Sequence, residues 1–362
     1  MEDFVVSARK YRPLEFNDVV GQSHITDTLE HAIHRNQLAQ ALLFCGPRGV
    51  GKTTCARILA REINKKFSST EDTDFSFNIY ELDAASNNSV DDIRGLIDQV
   101  RFAPQVGKYK VYIIDEVHML SMAAFNAFLK TLEEPPNHAI FILATTEKHK
   151  IIPTILSRCQ IYDFKRIKSY DIQKHLAKIA KEENIQYEDD ALFLIAQKAD
   201  GALRDALSIF DRLVTFTNRN ISLTDTAETL NILDYDYYIQ IADLAKKNDI
   251  PNIIHKFGEI VNKGFDPHIF ISGLGGHFRD LMMIQNPITI DLVEVGEKAK
   301  EKYKEQSVKW SPQELVTALE ICNQADINYK ISKNQRLTIE IALMQLASIS
   351  SSDLDKKKSL ES

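Results

Sequence analysis

The chain has 362 residues, 44% hydrophobic and 26% charged, with a formal net charge of −7. That length exceeds what one hydrophobic core usually organises and predicts two or three domains. The acidic balance excludes a protein that binds nucleic acid over its whole surface, so any such contact needs a local basic patch or an assembly that concentrates one. No apolar run approaches the roughly 18 residues of a membrane span. The opening Met1-Glu2-Asp3-Phe4 is acidic and lacks a signal-peptide layout, so a cytoplasmic protein without membrane partners is expected. The four cysteines, Cys45, Cys55, Cys159 and Cys322, form no CxxC pair and read as buried or incidental thiols, with neither a disulfide framework nor a zinc site.

In chain order, Ala41–Cys45, Val111–Ile114 and Ile140–Leu143 are short apolar runs ending in polar turns, as buried strands do. Between them, Cys55 to Ile63 and Ala123 to Leu132 carry helical spacing, and the alternation predicts an α/β unit with a parallel sheet over residues 1–166. From Ser169 the pattern changes. Ile172, Leu176, Ile179 and Ala180 mark one helix face, Leu192, Ile195, Ala196 and Ala199 a second, and Leu203 to Val214 a third. These predict a small helical domain over 167–231 and a further all-α domain over 232–350, with turn breaks near Gly264 and Pro287. Ser311-Pro312-Gln313-Glu314 opens one of its helices with a capping box and a first-turn proline. The serine- and lysine-rich residues 351–362 are expected to be a disordered tail.

Gly46-Pro47-Arg48-Gly49-Val50-Gly51-Lys52-Thr53 satisfies GxxxxGK[ST], between a predicted strand and a predicted helix. Glycines let backbone N–H groups turn inward around phosphates, and the helix N-terminus adds a favourable dipole. These eight residues and the adjoining Thr54 are the expected phosphate cradle. Lys52 is suited to the β- and γ-phosphates and Thr53 to magnesium. Val111–Ile114 then leads into Asp115-Glu116. A carboxylate at the end of a buried strand beside the cradle can join the magnesium shell, and Glu116 is placed to orient and deprotonate water. Taken alone, a strand ending in Asp-Glu is often mere strand-end solvation. Paired with the glycine-rich loop, it specifies hydrolysis of a nucleotide and not only its binding.

Further motifs carry a family resemblance. Arg9-Lys10-Tyr11-Arg12-Pro13 with Phe16 to Gln22, Asp115 to Leu120, Asn126 to Pro136, Ala144-Thr145-Thr146, Ile155 to Cys159 and Gly201 to Leu207 resemble bacterial DNA polymerase III gamma/tau subunits. The resemblance covers about the first 215 residues closely and the rest by helical pattern. It implies an AAA+ P-loop domain, a helical lid and a helical collar that assembles a five-subunit ring. Arg9, Tyr11, Arg12 and Pro13, with Val19 and Val20, would line an adenine pocket. Thr145 and Thr146 would hold the sensor-1 position facing the γ-phosphate. Arg204 would be the sensor-2 arginine coupling lid angle to nucleotide, and Arg158 the arginine finger inserted into a neighbour's site, a task suited to a planar permanent charge. His118 and Cys159 belong to these motifs as packing or hydrogen-bonding residues.

The function implied is that of a clamp-loader ATPase placing a sliding clamp on primed DNA within DNA polymerase III, with no polymerase chemistry of its own. The implied partners are delta and delta-prime subunits, further gamma/tau copies, the clamp, primer–template DNA without sequence preference, and the polymerase core. A non-catalytic scaffold like delta-prime is disfavoured by the intact Lys52, Thr53, Asp115 and Glu116. Another AAA+ DNA-processing machine is disfavoured by the Leu129 to Pro136 run. One departure stands out: the family's four-cysteine zinc module has no counterpart, since Asn64 to Asn78 holds neither cysteine nor histidine. A short polar loop and no zinc are expected there. Ser86-Asn87-Asn88-Ser89 with Arg94 resembles a helix start that follows a DNA backbone, an ordinary cap being the equal alternative. Trp310 and the Lys298 to Lys309 cluster read as fold and solvated surface.

Overall fold

The computed structural model describes residues 5–66, 75–230, 233, 235–293 and 295–360. The chain divides into two compact units, Met1–Glu183 with Ile195–Thr215, and Asn184–Leu194 with Phe216–Ser362. The units cut across the 167–231 segment expected as one helical domain. The helix Ser169–Glu182 and nearly all of the helix Leu203–Phe216 fall with the first unit.

The first unit is built on a parallel sheet of five strands: β1 Ala41–Cys45, β2 Ile79–Asp83, β3 Lys110–Asp115, β4 Ala139–Thr145 and β5 Gln160–Asp163. Their order across the sheet is β2-β3-β4-β1-β5. Alternate side chains enter two separate cores, as the two-residue strand period requires. Tyr112, Ile114, Phe141 and Leu143 pack with Phe125 and Phe128 of the helix Met122–Glu133. Leu42, Phe44, Ile113 and Ile142 pack with Ile58 and Leu59 of the helix Lys52–Lys65. Cover on both faces explains why β1 and β4 are buried throughout and read as unbroken apolar runs. β2 and β5 are the edges, partly exposed and carrying Glu81, Asp83, Gln160 and Asp163, so hydrophobicity alone does not reveal them. Register places Cys45 beside Thr145 and Asp163, and Asp83 beside Asp115. The carboxyl ends therefore share one edge, where open α/β sheets bind ligands.

The second unit includes a two-stranded ladder, β6 Gln186–Tyr187 with β7 Asn220–Ile221, and a helical bundle. Ile253, Phe257 and Ile260 recur at helical spacing along Ile250–Asn262 and are fully buried with Phe270, Leu274 and Phe278 of Pro267–Ile284. Each such side chain contributes about 1.5–3 kcal/mol by leaving water. The capping box forms as expected: Ser311 N donates to Glu314 Oε2 at 2.8 Å and Glu314 N to Ser311 Oγ at 3.3 Å. Lys246 also donates to both Glu314 oxygens, at 2.6 and 2.7 Å, while lying 5.1 Å from the buried Trp310 ring. Lys302 and Lys309 are half-exposed and pair with Asp236 and Asp243. The final helix runs Gln335–Leu360 and includes positions 351–360, where a disordered tail is expected. No glycine or proline interrupts that stretch, and its Leu and Lys residues can extend a helix already begun. Residues 361–362 lie outside the described residues. Among the described residues no helix is long and apolar enough to cross a membrane.

His277 is buried in this bundle and bonds through Nε2 to Gln306 Oε1 at 2.7 Å. Its Nδ1 has no partner among the described residues. Burial pushes its pKa down to about 4, outweighing the opposing hydrogen bond to Gln306 and the Asp243 charge. The unfolded chain therefore takes up a proton that the folded chain refuses between about pH 6.5 and about pH 4. Stability from this group is complete above that window and lost as pH falls through it, by roughly 3 kcal/mol in total. Urea unfolding of the helical signal is expected to weaken between pH 7 and pH 5. The loss should shrink in His277→Gln, and an equal loss in both proteins would contradict the assignment.

Candidate active site

The loop after β1 is shaped by close approach. Gly46 has φ +146°, and a Cβ there would lie 2.4 Å from the Phe164 carbonyl oxygen, so only glycine lets the loop leave the sheet beside β5. Gly51, at φ +105°, caps the helix Lys52–Lys65. The Lys52 side chain curls back over the loop, donating from Nζ to Gly46 O at 2.7 Å and Pro47 O at 2.8 Å. Its ammonium is buried, and desolvation lowers its pKa further than the charges of Glu116 and Asp115 raise it. The site thus holds a cation short of negative charge.

Thr53 Oγ1 donates to Asp115 Oδ2 at 2.7 Å, tying the helix start to the end of β3. A hydroxyl and a carboxylate side by side are hard oxygen donors, the set magnesium accepts when phosphate and water supply the other positions. Glu116 follows with backbone φ +47°, a left-handed conformation uncommon outside glycine. Its Oε2 accepts from Thr146 N at 3.2 Å and Thr146 Oγ1 at 2.9 Å.

These groups face a cavity of about 500 Å³. Tyr11, Arg12, Pro13, Val19 and Val20 form one wall, and the stretch from Arg48 through Thr54 forms the floor. Asp115 and Glu116 stand opposite, and Leu203, Arg204 and Leu207 close the cavity from the helix Leu203–Phe216. That helix abuts the loop directly, with Arg204 N donating to Gly49 O at 3.4 Å.

Several expected residues sit elsewhere. Arg9 is exposed and does not line the cavity, where Ala8 takes its place, because the four-residue helix Ser7–Lys10 turns Arg9 outward. Thr145 is fully buried, its Oγ1 accepting from Glu147 N at 3.0 Å and lying 3.0 Å from His118 Nδ1. Thr145 therefore stands behind the cavity wall, and of the adjacent threonines only Thr146 reaches Glu116. Arg158 is outside this cavity, its guanidinium donating to Glu133 Oε1 at 2.6 Å and Thr154 O at 2.7 Å. Ser89 caps the helix Val90–Val100 in a capping box with Asp92, and Arg94 pairs with Asp91. Asp91 and Asp92 place two carboxylates on the first turn of this helix.

Some contacts had no signal in the sequence. Ser7 donates through its backbone N, at 2.8 Å, and through its hydroxyl to Asp211, and Tyr11 OH donates to Glu183 at 2.6 Å. The cavity wall is thereby strapped to the helix Leu203–Phe216 and to the C-terminal cap of the helix Ser169–Glu182. Of the thiols, Cys45, Cys55 and Cys322 are buried and Cys159 is half-buried, with burial pushing Cys159 up to about 12. The expected loop that stands in place of a zinc module falls largely on 67–74, outside the described residues. Its flanks are anchored by Asn64, which accepts from Tyr109 N at 3.0 Å, and Asn78, which donates to Val106 O at 2.6 Å.

Three family models match the chain: DNA polymerase III, delta subunit, over residues 21–168; DNA polymerase III clamp loader subunit, ATPase lid domain, over 171–219; and DNA polymerase III subunits gamma and tau domain III, over 221–361. DNA polymerase III subunit tau of Bacillus subtilis is 40% identical over 354 residues, spanning 94% of this chain and 63% of that protein. Subunit gamma of Buchnera aphidicola subsp. Baizongia pistaciae is 33% identical, spanning 95% of this chain and 97% of that protein. Subunit tau of Escherichia coli K12 is 38% identical over 78% of this chain, which spans 46% of its length. The chain thus spans less than two thirds of these tau proteins and nearly all of that gamma protein. Among solved structures, an arginine-to-alanine variant of Thermotoga maritima RuvB superposes with a TM-score of 0.50 at 23% identity, covering 65% of this chain and 78% of that one. The shared fold is the AAA+ P-loop type, a parallel sheet flanked by helices.

Proposed function

The chain belongs to the DNA polymerase III gamma/tau family, and from that premise we propose that it is an ATP-hydrolysing subunit of a clamp loader. The observation that carries this reading is the convergence of Lys52, Thr53, Asp115 and Glu116 on one cavity, with Thr53 and Asp115 2.7 Å apart. Binding alone needs the loop and the lysine. A carboxylate free to act on water, next to a pair suited to magnesium, adds the means of cleavage.

In this reading the adenine rests against Tyr11, Arg12, Pro13, Val19 and Val20, and the phosphates lie along Gly46 to Thr54. Lys52 meets the β- and γ-phosphates. Thr53 and Asp115 hold magnesium, which when bound neutralises charge on the phosphate oxygens. Glu116 orients and deprotonates the attacking water, with Thr146 fixing its carboxylate. Arg204 couples the helix Leu203–Phe216 to the nucleotide. Arg158 serves a neighbouring subunit's site, a role supported by its place outside this chain's own cavity.

Residues 1–166 act as the nucleotide domain, 167–231 as the lid and 232–350 as the collar of a ring with delta, delta-prime and further gamma/tau copies. ATP binding shapes the ring to hold a sliding clamp open. Primed DNA then aligns Glu116 with a neighbour's Arg158, and hydrolysis lets the clamp close, in the cytoplasm and beside the polymerase core. The test is phosphate release by the assembled ring with and without clamp and primed DNA. Stimulation by the pair is expected. Glu116→Gln should lose about a hundredfold or more of the stimulated rate while still binding ATP. A rate indifferent to clamp and DNA sinks the clamp-loader reading, and a fully active Glu116→Gln sinks the assignment of the base.

A further inference from the structure

Behind Glu116 lies a tier of polar groups that none of these steps uses. The His118 side chain is only 5% exposed, held in the turn after β3. Its Nδ1 lies 3.0 Å from Thr145 Oγ1 and 3.4 Å from Glu116 Oε2, and its Nε2 lies 3.4 Å from Glu147 Oε1. Glu147 is itself held by Lys150 Nζ at 2.9 Å, and its backbone N donates to Thr145 Oγ1 at 3.0 Å. One imidazole therefore sits between two carboxylates and joins the ends of β3 and β4, adjacent strands of the sheet. The oxygen of Glu116 that it approaches is the one Thr146 already holds through N and Oγ1.

A general base works fastest when its carboxylate is fixed in one rotamer, with one oxygen committed to the protein and the other free for the water. At Glu116 the backbone does not supply this fixation. Its left-handed conformation is a strained one for a residue with a Cβ, and it persists only where surrounding contacts determine it. Thr146 grips the carboxylate from the β4 side alone. A carboxylate carried on a flexible side chain needs a second anchor from another direction. The His118 ring, nearly buried, bonded at Nδ1 to Thr145 Oγ1 and with Nε2 3.4 Å from Glu147, stands where such an anchor is needed.

We propose that His118, itself oriented by Glu147, is a positioning residue for Glu116, holding one carboxylate oxygen so that the other faces the attacking water. His118 does not line the cavity, so it acts only through Glu116. The inference rests on the reading of Glu116 as the base. A merely structural histidine would affect stability or ATP affinity and leave the chemical step unmoved.

The full chain, assembled with its ring partners, is compared with His118→Ala, Glu147→Gln and the double variant, using ATP with magnesium. Each single variant is expected to lower kcat about tenfold with KM and ATP affinity within about twofold, the signature of a lost transition-state interaction. The double variant should be no slower than His118→Ala, because the two residues act along one line. His118→Asn, whose amide nitrogen takes the place of Nδ1, should recover much of the rate. Unchanged kcat in either single variant, multiplied losses in the double variant, or lost affinity at constant kcat would overturn the proposal. If His118→Ala does not fold, Glu147→Gln and His118→Asn decide the matter. Glu116→Gln in the same assay separates the two levels. If it hydrolyses ATP normally, both readings fail; if it is slow while the His118 and Glu147 variants are not, this inference fails alone.

Discussion

Lys52→Ala is expected to weaken ATP binding at least about a hundredfold, roughly 3 kcal/mol. The ammonium is buried, and its close acceptors among the described residues are the carbonyls of Gly46 and Pro47. Desolvation exceeds the help it receives from Glu116 and Asp115, as its lowered pKa records. A triphosphate offers that cation the anionic oxygens it lacks, and each charge-assisted hydrogen bond in such a setting contributes about 1.5–3 kcal/mol. Alanine removes both the bonds and the local positive charge. The folded chain should hardly notice, because the lost bonds to two carbonyls are offset by release of a buried charge. Equilibrium titration with ATP and magnesium, with the melting temperature as a folding control, makes the check. Affinity within about threefold of the unmodified chain would remove the phosphate-cradle assignment.

Arg158→Ala is expected to leave each chain's own ATP affinity within about twofold and to cut the stimulated turnover of the ring by about a thousandfold, the usual scale for an arginine supplied in trans. The affinity half of the prediction follows from position, since Arg158 does not line the cavity of its own chain. The rate half follows from presentation. The guanidinium is a third exposed, yet Glu133 and the Thr154 carbonyl hold its NH2 and NH1 groups. An arginine anchored in this way loses little freedom on entering another subunit's site. Arg158→Lys should rescue poorly, because an ammonium lacks the planar fork that meets two phosphate oxygens at once. The surface pair with Glu133 contributes about 0–1 kcal/mol, so loss of the fold is not expected to confuse the result. Turnover of the assembled variant ring at the unmodified rate would end the finger assignment.

Legibility in the sequence followed the range of the interactions. The cradle from Gly46 to Thr53 is readable because eight consecutive residues both make it and mark it. The three central strands are readable because both faces are buried and their interiors are runs of apolar residues. The edge strands β2 and β5 are harder to see: one face meets solvent, and Glu81 or Gln160 breaks the run. The pair of threonines after β4 resembled a single unit, yet the reversal of direction at each strand position put Thr145 into the interior and Thr146 on Glu116. Arg9 was misplaced for a similar reason, since a single turn of helix sends neighbouring side chains in different directions.

By itself, the order of residues determined which chemical groups this protein has: a glycine loop with its lysine and threonine, an Asp-Glu pair closing a buried strand, and helical faces that need a partner. Local patterning suffices there because each motif is completed within a few residues of chain. Only the tertiary structure decided which of those groups meet. The pairing of β3 with β4 brought Thr146 to Glu116 and Glu147 to His118. The helix Leu203–Phe216 brought Asp211 to the strap of Ser7 and Arg204 to the cavity. Such contacts join residues 30 to 200 positions apart. Their distances are set by the packing of whole strands and helices, which no local pattern encodes.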